Sequence, residues 1–240
     1  MFYKKWQHYS YTAQKTQRRR MLRMFLWIVV FFLFFSFFTN FVFFTFLINT
    51  KSMEPTLQPG DRGLSLSTAF LPKDHDNPLF LYKRGSLVVL RKNFGSAESP
   101  WYKSFTASIL RFLSAQRWDI EADTRRLYVK RIIALPGDRV TISNYTAQVQ
   151  PADQNYTLSE FELATHSYTV KIPDVSSEWD SRLPFSGSMD TLVLKDGECF
   201  VLSDDRGDIN DSRTWGPVPL SSLIGKPLLI YWPMNRFGQF

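Results

Sequence analysis

The sequence predicts a mostly β protein, with a single N-terminal transmembrane helix followed by an antiparallel, multi-stranded β domain that carries one amphipathic helix. Three observations predict it. Met24 to Thr50 holds 27 residues without a charge, flanked by Arg23 and Lys51, and includes 11 of the 22 Phe of the chain. Beyond it, short apolar clusters recur between Gly, Pro and Asp turn signals. Among them, Ser99 to Trp118 places Trp101, Phe105, Ile109, Phe112 and Leu113 at helical spacing.

Residues 1–23 read as a basic cytoplasmic tail. They carry Lys4, Lys5, Lys15, Arg18, Arg19, Arg20 and Arg23 and no acidic residue. Residues 24–50 read as the anchor, because at about 1.5 Å per residue the run reaches about 40 Å as a helix, and a bilayer core is about 30 Å thick. It exceeds the ~7–15 apolar residues of a cleavable signal peptide, and no small-x-small pattern closes it. The basic residues before it place the N-terminus in the cytoplasm and residues 51–240 outside a plasma (inner) membrane, crossed once; the absence of an Arg/Ser-rich transit peptide favours a bacterial one.

In the exported part, strands are expected at Gly63–Ser67, Ser86–Leu90, Leu127–Ile133, Arg139–Ile142, Tyr168–Ile172, Thr191–Leu194 and Leu228–Trp232. The 99–118 helix either packs on this β core or lies on the membrane surface. Residues 143–190, rich in Ser, Thr and Tyr, read as a less regular insertion of hairpins and loops.

The charge balance excludes one class of function. The net charge is +7, with 29 Lys and Arg against 22 Asp and Glu, and the tail holds all of the excess. The folded part is neutral overall, so no basic surface for nucleic acid is expected. The single cysteine, Cys199, permits no intramolecular disulfide and sits in the apolar stretch Glu198–Leu202, as a small buried hydrophobe would.

Three polar stretches carry the chemistry: Thr50–Asp61, Tyr128–Asp138 and Ser203–Gly216. Ser52 stands just past the span, followed by Met53 and by Pro55, whose ring restrains the local backbone. A serine hydroxyl needs a base. The histidines His8, His75 and His166 are poorly placed for a triad. On a strand, however, Lys130 shares a face with Tyr128, Ile132 and Ala134, and desolvation favours the neutral amine that a general base requires. The alternative is a solvated or snorkelling lysine. Arg131 falls on the opposite face, suited to pair with a carboxylate. The third stretch, with Asp204, Asp205, Asp208, Asp211, Arg206 and Arg213, could brace a site through carboxylate–guanidinium pairs. It reads otherwise as a solvated turn or a calcium-like loop, but its spacing does not match an EF-hand.

Together these residues resemble the type I signal peptidase family of membrane-anchored serine proteases. The S-x-M-x-P-T nucleophile motif, the K-R lysine motif running to P-G-D, and the D-S-R motif stand in order after a membrane span. The resemblance covers the three boxes and the anchor. It implies a Ser-Lys dyad of Ser52 and Lys130, with Thr50 and the Ser52 N–H as oxyanion hole. Met53 and Pro55 would shape the site, Asp211 and Arg213 would form a supporting ion pair, and Asp204 would pair with Arg131. It also implies that precursors bearing signal peptides are cut at the outer face of the membrane, after small residues at −1 and −3, with no metal or organic cofactor. Membrane lipid and the protein-export machinery are the other partners expected. The chain departs from the family pattern at four positions. Ala134 stands for a Gly, Ser203 and Asp205 for a Gly and an Asn, and Ile209 for the serine that bonds the lysine amine. Ser212 and Thr50 are the hydroxyls expected to substitute for that serine. The alternative is a catalytically impaired homologue that binds export substrates or translocation partners.

Overall fold

The computed structural model describes residues 11–37, 42–68, 82–92, 127–173 and 187–238. The chain divides into two units, Met1–Asn40 and Phe41–Phe240. The described residues of the first form a helix, α1 (Tyr11–Phe37). Its apolar side chains, Phe25, Trp27, Phe31 and Phe34 among them, lie exposed, and Phe31 and Phe35, one turn apart, stack at 6.4 Å between ring centroids.

The anchor expected over residues 24–50 is corrected at its end. α1 stops at Phe37, and Phe43–Leu47 forms strand β1. A run of Phe, Val and Thr suits a pleated, half-buried strand as well as it suits lipid. The partner decides between them here: β1 pairs antiparallel with β2 (Arg62–Ser67), Phe46 facing Gly63. The Phe46 ring fills the space over that glycine, where a Cβ would come within 2.2 Å of it. Among the described residues, no helix is long and apolar enough to cross a membrane.

The second unit consists of two antiparallel sheets. The larger has seven strands, which stand in the order β1, β2, β11 (Leu223–Trp232), β3 (Leu87–Arg91), β4 (Leu127–Ala134), β9 (Glu198–Leu202) and β10 (Val218–Pro219). β11 bulges beside Pro227, which has no N–H for the ladder. The smaller sheet has four strands, in the order β7 (Leu158–Ser159), β6 (Thr146–Gln150), β5 (Arg139–Ser143) and β8 (Met189–Val193). The turn at Pro136-Gly137-Asp138 leads from one to the other. Gly137 has φ +83°, and the Asp138 carboxylate accepts from Leu135 N at 2.9 Å and from both ends of the Arg84 fork.

Within the 143–190 segment, Thr146–Gln150 is a regular strand that forms a hairpin with β5 through the two-residue loop Asn144-Tyr145. Both loop residues have positive φ, as such tight hairpins require. One reading of the segment is corrected: Tyr168–Ile172 is not a strand. It makes one parallel bridge, Lys171 to Asp205, and lies along the Asp-rich loop. The short helix α2 (Glu160–Leu163) opens with a Ser159/Glu162 capping box. The amphipathic helix expected at 99–118, with Trp101, Phe105 and Ile109, lies outside the described residues.

Three apolar clusters hold the unit. One, of Val88, Leu90, Ile132, Cys199, Val201 and their neighbours, covers one face of the large sheet. Another, of Ile133, Val140, Val149, Phe200 and Leu202, joins the two sheets. The third, of Phe46, Ile48, Met53, Leu57, Val89, Val129 and Ile230, packs under the turn that bears Ser52.

Candidate active site

β1 delivers the chain into a tight turn over Thr50–Asp61. Ile48 N donates to Asp61 O and Gly60 N to Ile48 O, which closes the loop at its base. Met53 and Leu57 are wholly buried in the cluster below. Two large apolar side chains thus pin the turn from beneath, while Leu57 N donates to Met53 O at 2.8 Å. The Glu54-Pro55 peptide is cis. Ser52 ends up on top of this turn, 8 % exposed, with Oγ 3.0 Å from Thr50 Oγ1. Its carbonyl accepts from Asp205 N at 3.0 Å.

Lys130 stands on β4, opposite Val88 of β3, and is 1 % exposed. Its ammonium donates to Ser203 Oγ at 2.7 Å and to Asp208 Oδ2 at 3.2 Å. The Trp215 ring, packed edge-on against Tyr128, lies 5.9 Å away. Burial pushes the lysine below its ordinary pKa; the Asp208 and Asp211 carboxylates pull the other way, and Arg213 adds to the lowering. Burial also works against the charge of Asp208, yet the Lys130 ammonium and bonds from Lys130 and Asn210 hold its carboxyl below the usual range.

Arg131 points to the other face of β4 and clamps the turn that bears Ser52. Its Nε and Nη2 bind Asp204 at 2.7 and 2.6 Å, Nη1 donates to Gly85 O at 2.5 Å, and Nη2 reaches Thr56 Oγ1 at 3.2 Å. The Arg131–Asp204 pair is buried, charged and bidentate, the geometry in which such a bond is strongest. Thr56 in turn donates to Asp204 at 2.5 Å, and the Tyr168 ring covers the guanidinium at 3.9 Å. Lys171 ties Glu54 to Asp205, at 3.2 and 2.9 Å.

Asp211 caps the helix α3 (Ser212–Trp215), accepting from Arg213 N, while its other oxygen accepts from Ser203 N at 3.0 Å. Arg213 returns two bonds to Asp211, at 3.0 and 2.8 Å, and donates to the carbonyls of Arg206 and Asp208. Carboxylate and guanidinium therefore fix the path of the 203–213 loop rather than face solvent. Among the described residues, no group of three or more His, Cys, Asp or Glu is placed to hold a metal ion.

Hydrogen bonds join Ser52 to Thr50 and to the 203–213 loop, Arg131 to Asp204, and Asp211 to Arg213 and Ser203, while Met53 is buried beneath the Ser52 turn and Pro55 follows a cis peptide within it. The structure does not bond Ser52 to Lys130 directly, because the hydroxyl is joined to Thr50 and the amine to Ser203 and Asp208. The expectation that Ser212 or Thr50 would hold the amine is corrected. Ser212 Oγ accepts from Val201 N at 3.0 Å and so serves the edge of β9. Ser203, read in the sequence as a replaced glycine, holds the amine instead. Thr56, Tyr168 and Trp215 were missed as site residues, and Asp208 was read only as one of the carboxylates that could brace a site, not as a partner of the amine. Cys199 is buried, donates to Val218 O at 3.4 Å and has its thiol pushed up to about 12 by burial, which leaves it inert.

The family model described as signal peptidase, peptidase S26, matches residues 21–232. Among curated relatives, the Synechocystis sp. protein named Probable signal peptidase I-1 is 29 % identical over 119 residues, covering 49 % of this chain and 48 % of its own length. Probable signal peptidase I-2 of the same organism is 27 % identical over 194 residues, covering 80 % and 64 %. Signal peptidase I of Leptolyngbya laminosa is 27 % identical over 194 residues, covering 80 % and 70 %. The chain thus spans about half to two thirds of the length of the first two.

Proposed function

The chain belongs to the signal peptidase family, peptidase S26, and from that premise we propose that it is a membrane-tethered serine endopeptidase that removes N-terminal signal peptides from exported precursors. The observation that carries this reading is a buried amine with a depressed pKa, Lys130, held by the same loop that binds the Ser52 carbonyl.

The reaction runs by a Ser-Lys dyad. The Ser52–Thr50 bond opens, and Ser52 Oγ attacks the scissile carbonyl carbon as its proton passes to the neutral Lys130 amine. The Thr50 hydroxyl and the Ser52 N–H stabilise the oxyanion. The Lys130 ammonium then gives its proton to the leaving amine as the C–N bond breaks. Water, activated by the same amine, hydrolyses the acyl-enzyme. Met53 and Pro55 shape the turn that presents Ser52, and the Arg131–Asp204 and Arg213–Asp211 pairs hold that turn and the 203–213 loop in register. No metal or organic cofactor enters.

The substrate is a strand-like segment with small residues at −1 and −3, emerging from the outer face of a plasma membrane. The exposed apolar side chains of α1, from Met24 onward, enter the bilayer and hold the β unit where the cleavage site emerges. This fits the basic residues before them, which keep the N-terminus in the cytoplasm. Lipid is therefore a partner, and contact with the protein-export machinery comes from sharing its substrates.

Cleavage of a precursor by the full chain in detergent tests this, beside Ser52→Ala and Lys130→Met. The expected outcome is a cut after a small-x-small site that both substitutions abolish. A folded wild type that binds the precursor without cutting it identifies the chain as an impaired homologue instead.

A further inference from the structure

We propose that Ser203 and Asp208 together aim the Lys130 amine, a part for which Ile209 carries no hydroxyl. They are positioning residues for the Ser52–Lys130 dyad, and the inference rests on that reading of the site.

The three groups close a triangle of bonds. Lys130 Nζ donates to Ser203 at 2.7 Å and to Asp208 at 3.2 Å, and Ser203 Oγ donates to the same Asp208 oxygen at 3.3 Å. Both acceptors are themselves fixed. Ser203 is wholly buried at the end of β9, its N–H held by Asp211. Asp208 Oδ1 accepts from the backbone and side chain of Asn210, both at 3.2 Å, and its carbonyl accepts from Arg213.

A neutral amine has two N–H bonds and one lone pair in a tetrahedral arrangement. With one N–H directed to Ser203 and the other to Asp208, the lone pair is left in the remaining direction, free to accept the Ser52 proton. On protonation the new N–H occupies that direction, ready for the leaving amine, while Asp208 stabilises the charge that has appeared. A single neutral hydroxyl would supply the aim without the charge. Asp208 therefore does two things that a serine at 209 would not: it stabilises the developing ammonium, and it raises the pH at which the free base appears.

Among the described residues, the other charged groups that act on the amine are Asp211 and Arg213; Lys92, just past β3, stands over the same Trp215 ring at 4.3 Å, and Val88 opposite Lys130 on β3 is apolar. Replacing Asp208 by Asn keeps an acceptor oxygen in place and removes the negative charge.

The test uses the full chain in detergent, with two readouts. The first is kcat and KM for a precursor across pH. The second is the 15N resonance of the Lys130 amine, identified by its loss in Lys130→Met and titrated in parallel. Asp208→Asn is expected to move both the rising limb of kcat and the midpoint of the lysine titration to lower pH. Ser203→Ala is expected to lower kcat about 10- to 100-fold with KM little changed, and Ser203→Ala with Ile209→Ser to recover part of it. Where Ser203→Ala fails to fold, Ser203→Gly takes its place. Wild-type kcat in the Ser203 variant, or an unmoved lysine midpoint in Asp208→Asn, overturns the proposal. Should the wild type not cleave at all, the proposed function fails. The lysine midpoint then still decides whether Asp208 governs the amine.

Discussion

At the scale of single residues, the site turns on what burial does to two cations on neighbouring positions of one strand. Arg131 is matched by Asp204 in a bidentate pair, so Asp204→Ala leaves a buried guanidinium without its carboxylate. It is expected to cost about 3–5 kcal/mol, read by urea unfolding of the chain. Lys130 is matched less fully, and burial holds its pKa below that of a free lysine. In the proposed dyad the base is the deprotonated form, so kcat/KM is expected to rise with pH through the lysine titration and then level, at a lower pH than an exposed lysine would give. A flat profile over that range would remove Lys130 from the role of base. The alternation of Tyr128, Lys130, Ile132 and Arg131 was legible in the sequence, since a strand period of two assigns faces without further knowledge. The partners of the amine were not. Ser203 lies 73 residues away, and which hydroxyl meets Lys130 depends on how β9 and the 203–213 loop are laid beside β4.

At the scale of elements, β1 is where composition misled. Phe43–Leu47 has the same aromatic character as the helix before it, and only pairing with β2 separates a strand from a span. The bare Gly63 opposite Phe46 is the local reason that the ring can lie flat in the sheet. Phe46→Ala is expected to destabilise the β unit by about 3–5 kcal/mol and to lower cleavage with it, because β1 feeds directly into the Ser52 turn. Thermal melting and precursor cleavage on the same variant check both halves. The strands β2, β3, β4, β5, β8 and β11 lie where β-branched runs and Pro-Gly-Asp turns predicted them. β6 escaped notice because its hairpin turns on Asn144-Tyr145, and a tyrosine at φ 64° is not a turn signal that sequence rules recognise. Its ring sits against Gly187, where a Cβ would come within 2.4 Å of it, so a residue 42 positions on provides the room for that conformation.

At the scale of the whole molecule, the chain divides after Asn40 into two units, and the proposed function makes the first a tether. A chain starting at Phe41 is expected to keep the β unit folded and to cut a soluble peptide, but to lose most of its activity on a precursor held in vesicles, because tethering raises the local concentration of substrate. Equal loss on both substrates would place part of the active site in the removed segment. The sequence by itself determined the basic tail, the apolar run, the β class of the part that follows it and the order of Ser52, Lys130 and the Asp-rich loop. Each of these is local, carried by composition, period or turn residues. Only the tertiary structure decided that part of the apolar run is a strand, that Arg131 takes Asp204 and Thr56, and that Ser203 with Asp208 rather than Ser212 meets the lysine. Those outcomes depend on long-range register and burial, which place residues far apart in the chain within hydrogen-bond reach.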